Sequence, residues 1–154
     1  MRGQGTSDGI SSKDWEIVAD LAARIANAAC AENERAGNAA TQELFAHLVR
    51  LERKYGRLPS ILATRADYAE DMSQKVSLLE EAWRLAQNRQ DIRNLVFIAS
   101  SLAEVFLTEL KDYQKGRKWL GELEIALGNH WGDDEYAQVI ELREELRKGV
   151  ASRR

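Results

Sequence analysis

Three observations predict an all-α fold. The chain holds one proline, Pro59, in 154 residues, while Ala, Leu, Glu and Arg dominate, a composition that favours helix over nearly the whole length. Apolar residues recur at three- and four-residue spacing, and Val, Ile and Thr form no alternating run of the kind a strand requires. At the breaks in that spacing stand Ser, Asn, Asp and Gly, the residues that cap and terminate helices.

At this length one domain is the prior, and such a chain buries roughly 70% of its unfolded surface. The apolar and charged fractions, 44% and 31%, are those of a soluble globular protein. No apolar run approaches the ~18–20 residues of a membrane-spanning helix. The opening MRGQGTSDGISS has no hydrophobic segment, so it is not a signal peptide. Its Gly and Ser content marks residues 1–10 as a disordered lead-in, residues 11–149 as a single helical domain and residues 150–154 as a frayed tail. Cys30 is alone, which excludes an intrachain disulfide and makes a reducing, cytoplasmic location the expectation. Basic and acidic residues number 22 and 25, for a net charge of −3. A dedicated nucleic-acid binder carries a basic excess instead.

A first helix starts at Ser11 or Ser12, with Asp14 and Glu16 at its positive end, and presents Trp15, Val18, Ala22, Ile25 and Ala29 on one face. The polar stretch AENERAGN ends it, with the break at Gly37. A second helix begins after Asn38, carries Leu44, Leu48, Leu51 and Tyr55, and stops at Gly56 in a left-handed cap. Pro59 suits the first turn of a short third helix, from about Ser60 to Glu70. Asp71 or Ser73 caps a fourth, whose buried stripe is Val76, Leu79, Trp83 and Ala86. Asp91 caps the fifth (Leu95, Ile98, Leu102, Phe106, Leu110), and Asp112 the sixth (Tyr113, Gly116, Leu120, Leu123, Leu127), which ends at Gly128. The seventh comes after NHWGDD, capped by Asp133, with Tyr136, Val139 or Ile140, Arg143 and Leu146 inward and an end near Gly149. About seven helices joined by short turns form antiparallel hairpins.

The stretch from Leu58 to Gly128 is internally similar. Ala66 corresponds to Ala103 in the leading helix of each half, and Leu79 to Leu120 in the trailing helix. Leu102, Ala103, Phe106, Tyr113, Gly116, Leu120 and Leu123 carry a pattern that resembles the tetratricopeptide repeat, a helix–turn–helix unit of about 34 residues. Leu62, Ala66, Leu79 and Ala82 carry a weaker copy, which departs at Arg65, Ala69 and Lys75. Small residues at Ala66, Ala103 and Gly116 let helix backbones approach closely while an aromatic fills the space beside them. The resemblance covers about half the chain. It implies a short right-handed superhelix of stacked hairpins whose inner face is built by the first helix of each pair. That face takes in Ser60, Ala63, Asp67 and Glu70 in one unit, and Arg93, Phe97, Ser100, Glu104 and Thr108 in the next.

What the resemblance implies is a non-enzymatic adaptor or scaffold that binds a protein or peptide on its concave face. Asp67, Glu70, Arg93, Phe97, Ser100, Glu104 and Thr108 are the contact candidates. Family members that clamp a partner's C-terminal carboxylates use Lys and Asn there. Here Ala63 and Asp67 stand near those places, so a basic or mixed peptide is the expected partner. No nucleic acid, membrane or cofactor is expected. These residues have an equally plain reading as a solvated helix face.

Chemistry-bearing residues are sparse. His130, Trp131, Asp133 and Asp134 form the most polar cluster, and a small helical enzyme or metal protein using that turn is the alternative from a different class. Cap and turn chemistry explains every residue type there, with Trp131 packing beneath the turn as a staple. Glu43 and His47 share a helix face, but two residues do not make a metal site, and His47 reads as a partly exposed helical residue. Cys30 reads as a small hydrophobe. No phosphate loop, paired-cysteine motif or nucleophile elbow occurs. LERKYGR is a basic cluster suited to a helix C-terminus. Of the four tryptophans, Trp83 reads as core, and Trp119 competes with Leu120 for the inward position, so one of the two is an exposed anchor candidate. A further alternative is a structural subunit that completes its apolar faces by forming a homodimer.

Overall fold

A computed structural model describes residues 5–153. Among them the regular elements are seven α-helices and one π-helical turn, with no strand: α1 (Ser12–Cys30), α2 (Glu34–Tyr55), α3 (Pro59–Asp67), α4 (Met72–Arg89), α5 (Ile92–Glu104) continued by the π turn Val105–Glu109, α6 (Tyr113–Leu127) and α7 (Asp133–Ala151). None of these helices is long and apolar enough to cross a membrane. The chain, expected as one domain, divides into two compact units, Met1–Leu78 and Leu79–Arg154, with the boundary inside α4.

Three of the turns share one construction. Glu32, Gln90 and Lys111 adopt left-handed backbone with φ of 54°, 53° and 53°. Each is followed by a capping residue, Asn33, Asp91 or Asp112, whose side chain accepts the backbone N–H three residues on. The left-handed residue reverses the chain and the side-chain acceptor satisfies an orphan donor of the next helix, so the turn needs no glycine. This corrects the expected break between the first two helices. Asn33 restarts the chain at Glu34, and Gly37 lies inside α2 with its N–H bonded to Asn33 O at 3.0 Å.

In the first unit α1 and α2 pack as an antiparallel pair, with α3 against α2. The core joins Val18 and Leu21 of α1, Leu44, Leu48 and Leu51 of α2, and Leu58, Ile61 and Ile10. Trp15 and Ile25 pack on its margin, while Ala29 and Cys30 are exposed, so the inward face of α1 is turned toward Leu21 and Ala28. Part of the expected lead-in is therefore structural. Ile10 is 1% exposed, and Asp8 is buried with its carboxylate accepting from Ser60 N (2.7 Å) and Ser60 Oγ (2.9 Å). Leu58, at the N-cap of α3, has no side-chain acceptor, and Asp8 supplies one from elsewhere in the chain. Residues 1–4 of that stretch lie outside the described residues.

The second unit packs α5 on α6, and α7 on α6 and the π turn. Trp83 and Trp119 are both buried and meet edge-on at 5.1 Å between ring centroids, so neither is an exposed anchor. Gly116 lets Leu107 close on the α6 backbone, since a Cβ there would collide with the leucine side chain. At the π turn Leu110 N–H reaches Val105 O at 3.0 Å, one residue further back than in an α-helix. The extra residue rotates the end of the segment. Phe106 and Leu107 are buried and Leu110, expected on the same stripe, is exposed. On α7, Val139, one of the two expected alternatives, is inward with Leu142 and Gly149, while Tyr136, Ile140 and Arg143, expected or offered as inward, are exposed. Gly149 does not end the helix, which runs on to Ala151.

Candidate functional site

The seven contact candidates fall in both units. In the first unit, Asp67 closes α3 and Glu70 lies three residues on, both exposed. Ser60 and Ala63, expected on the same open face, are buried, Ser60 by its bonds to Asp8. Neighbouring protein atoms crowd the Asp67 carboxyl and push its pKa above the ordinary aspartate value, against the opposing charge of Lys75. Burial, and then the Asp67 charge, holds the Tyr68 phenol up as well. Glu70 borders a groove of ≈ 570 Å³ whose walls include Phe45, Tyr68, Gln74 and Leu78. Arg65, at the same groove, is pinned by paired bonds to Glu52 (3.3 and 3.2 Å).

In the second unit the α5 candidates separate by burial. Arg93 and Glu104 are exposed, and Phe97 is 46% exposed. The four-residue spacing of Arg93 and Phe97, and the seven-residue spacing of Phe97 and Glu104, put all three on one side of the helix. Ser100 is 6% exposed and is withdrawn from that surface. It lies three residues from Phe97 on the same helix, so burial divides that side of α5 between the two. Thr108 turns its hydroxyl back onto Glu104 O at 2.7 Å and spends its donor inside the helix.

His130, Asp133 and Asp134 are all exposed, and Gly132, not Asp133, occupies the N-cap of α7. Among the described residues no three His, Cys, Asp or Glu side chains converge as a metal ion requires. Trp131 packs under the turn as expected, 6.0 Å from the Tyr136 ring with the Arg143 guanidinium at 5.7 Å, while its Nε1 has no hydrogen-bond partner among the described residues. His47 is buried rather than partly exposed, its Nε2 3.1 Å from Asp14 O, and Glu43 turns away to Arg24 at 2.8 Å. Nearby, the Tyr55 hydroxyl donates to Asp14 Oδ2 at 2.5 Å and Lys54 Nζ lies 2.8 Å from the same oxygen. Lys54 first and then Tyr55 lower the Asp14 pKa from 3.8 to about 2. This group ties the start of α1 to the end of α2.

Sequence reasoning passed over one surface, a groove of ≈ 430 Å³ between α6 and α7 lined by Arg117, Arg143, Leu146, Arg147, Val150 and Ala151. Its signal was the run KDYQKGRK at the start of α6, where a helix normally prefers acids.

The chain matches no family model, no curated protein and no solved structure.

Proposed function

We propose that the chain is a non-enzymatic interaction module of the cytoplasm that docks a protein or peptide segment on the exposed side of α5. The observation that carries this reading is Phe97, an aromatic left 46% exposed on a helix whose other side is fully buried. Exposed Phe97 offers an anchor that loses little side-chain entropy on binding, and Arg93 and Glu104 on the same side supply opposite charges for register. A partner of basic or mixed character meets Glu104 on this helix, and the first unit, taken by itself, offers the same sign of charge at Asp67 and Glu70. The tetratricopeptide-like reading belongs to this proposal. It is supported by the close approach at Gly116 and by antiparallel hairpins joined by short turns, and in it the hairpins stack into a right-handed superhelix with this side of α5 on the inner face.

Affinity capture with the wild-type chain, compared with Phe97→Ala and Glu104→Lys, tests the reading. Partners lost with Phe97→Ala, and changed or lost with Glu104→Lys, are the expected result. A partner set untouched by both substitutions sinks it.

Self-association is the second reading, favoured by Tyr136 and Ile140, one turn apart on α7 and 54% and 46% exposed. Light scattering over a range of concentrations tests it. An apparent mass that stays at one chain throughout removes it.

A further inference from the structure

The chain carries a net charge of −3, yet one end of the second unit is strongly basic. Between Lys111 and Lys118 four cations stand with one acid, and between Arg143 and Arg153 four cations stand with two. The fold brings the two stretches together. Arg153 donates to Lys111 O at 3.1 Å and its guanidinium lies 4.9 Å from the Tyr113 ring, while Gly149 admits that ring against the α7 backbone. Lys115 sits in the first turn of α6, where a cation opposes the helix dipole, and Arg117 and Lys118 follow in the second turn. Lys115 and Lys118 lie over the Phe106 and Trp119 rings, at 5.5 and 4.8 Å, whereas Arg117 has no ion pair or ring contact among the described residues.

Within this basic end lies the groove between α6 and α7. Leu146, Val150 and Ala151 give it an aliphatic floor, and Arg117, Arg143 and Arg147 stand around it. The arginines are not equivalent. Arg147 is held by both Glu144 oxygens. Arg143 gives Nε to Glu124, at 2.9 Å, and its guanidinium lies 5.7 Å from the Trp131 ring, with its terminal nitrogens in no hydrogen bond among the described residues. Arg117 is exposed and forms no ion pair among the described residues. Two planar donor forks beside an apolar floor match carboxylates that flank an apolar side chain.

We propose that this groove docks an acidic peptide segment, with an apolar side chain on Leu146, Val150 and Ala151 and carboxylates on Arg117 and Arg143. The occupant is set by charge complementarity and by the floor. Single-stranded nucleic acid is held on aromatic faces on which bases stack, and Tyr113 is already covered by Arg153 and α7. A lipid surface is met by protruding apolar residues, whereas these line a recess. This surface is separate from the exposed side of α5 and does not depend on the reading given to it.

The test is fluorescence anisotropy of the full chain, at low and physiological salt, with a labelled peptide that alternates glutamate pairs with leucine. The wild type is expected to bind, more weakly as salt rises. Arg117→Glu, which lies on an exposed position, is expected to weaken binding about tenfold with the circular dichroism unchanged. Replacing the peptide's leucines by serine is expected to weaken it comparably, and Phe97→Ala is expected to leave it intact. The proposal is overturned if Arg117→Glu has no effect, if the serine peptide binds as well as the leucine peptide, or if Phe97→Ala abolishes binding. Tighter binding of a single-stranded oligonucleotide or of phosphatidylserine vesicles than of the peptide overturns it too.

Discussion

At Ser60 the backbone N–H and the hydroxyl both donate to the Asp8 carboxylate, at 2.7 and 2.9 Å. The start of α3 has no acceptor of its own, because Leu58 occupies the N-cap and Pro59 comes next. Removing Asp8 leaves a buried donor unsatisfied at a helix start, which costs about 2 kcal/mol. Asp8→Ala is therefore expected to lower the urea midpoint with the slope unchanged. An unaltered midpoint would show that water replaces the carboxylate without loss. Nothing in GTSDGI signals this role, since a cap supplied by a residue this far from its helix leaves no local pattern. The same holds for His47, whose burial depends on α1 lying across α2, and for Ser100, whose neighbours are decided by the rotation of α5 about its axis.

Among the elements, α7 shows most clearly where helical periodicity stops being informative. Its apolar residues admit two faces, and the one used buries Val139, Leu142 and Gly149. Gly149 reads as a terminator by residue type, yet it sits within the helix because the Tyr113 ring occupies the space its Cβ would take. Two effects oppose each other in Gly149→Ala. Helix propensity favours alanine by about 1 kcal/mol, and overpacking against Tyr113 costs about 1–3 kcal/mol. The steric cost is expected to win, so Gly149→Ala destabilises the protein. In a Tyr113→Ala background only propensity remains and the same change stabilises. A double-mutant cycle by denaturant unfolding measures the difference, and equal effects in both backgrounds would refute the contact. Gly116, by contrast, was legible from the small-residue pattern of the trailing helix, because its partner Leu107 lies in the adjoining hairpin arm.

For the whole molecule the net charge hides an uneven distribution of stabilising carboxylates. Asp14 is lowered from 3.8 to about 2 by Lys54 and Tyr55, Glu52 is lowered from 4.5 mainly by Arg65, and Glu144 is lowered from 4.5 mainly by Arg147. Each binds its proton less readily when folded than when unfolded, so each contributes stability that is complete above its unfolded pKa and is lost as pH falls through its folded one, about 2 for Asp14. Thermal unfolding followed from pH 7 to pH 2 is expected to show a decline that begins below about pH 5. Asp14→Asn is expected to flatten its most acidic part. Asp67 has the opposite sign, because crowding disfavours its charged form. Asp67→Asn is expected to raise stability at pH 7 and to leave it unchanged well below the aspartate range. A wild-type profile flat from pH 5 to pH 2 would show that these pairs contribute nothing.

By itself the sequence determined that the chain is helical, how many helices it has and that Asp91 and Asp112 begin two of them, because propensity, periodicity and capping act over a few residues. It also placed Leu44, Leu48, Leu79, Leu102 and Leu120 in cores, since each lies on a stripe too apolar to leave in water. Tertiary structure alone decided that the basic start of α6 meets the end of α7 around an apolar groove. It also decided that Ser100 is buried while Phe97 is not, and that Asp8 and Ile10 belong to the folded body. Those outcomes depend on the rotation of each helix about its axis and on contacts between residues far apart in the chain, and neither is encoded in any single stretch.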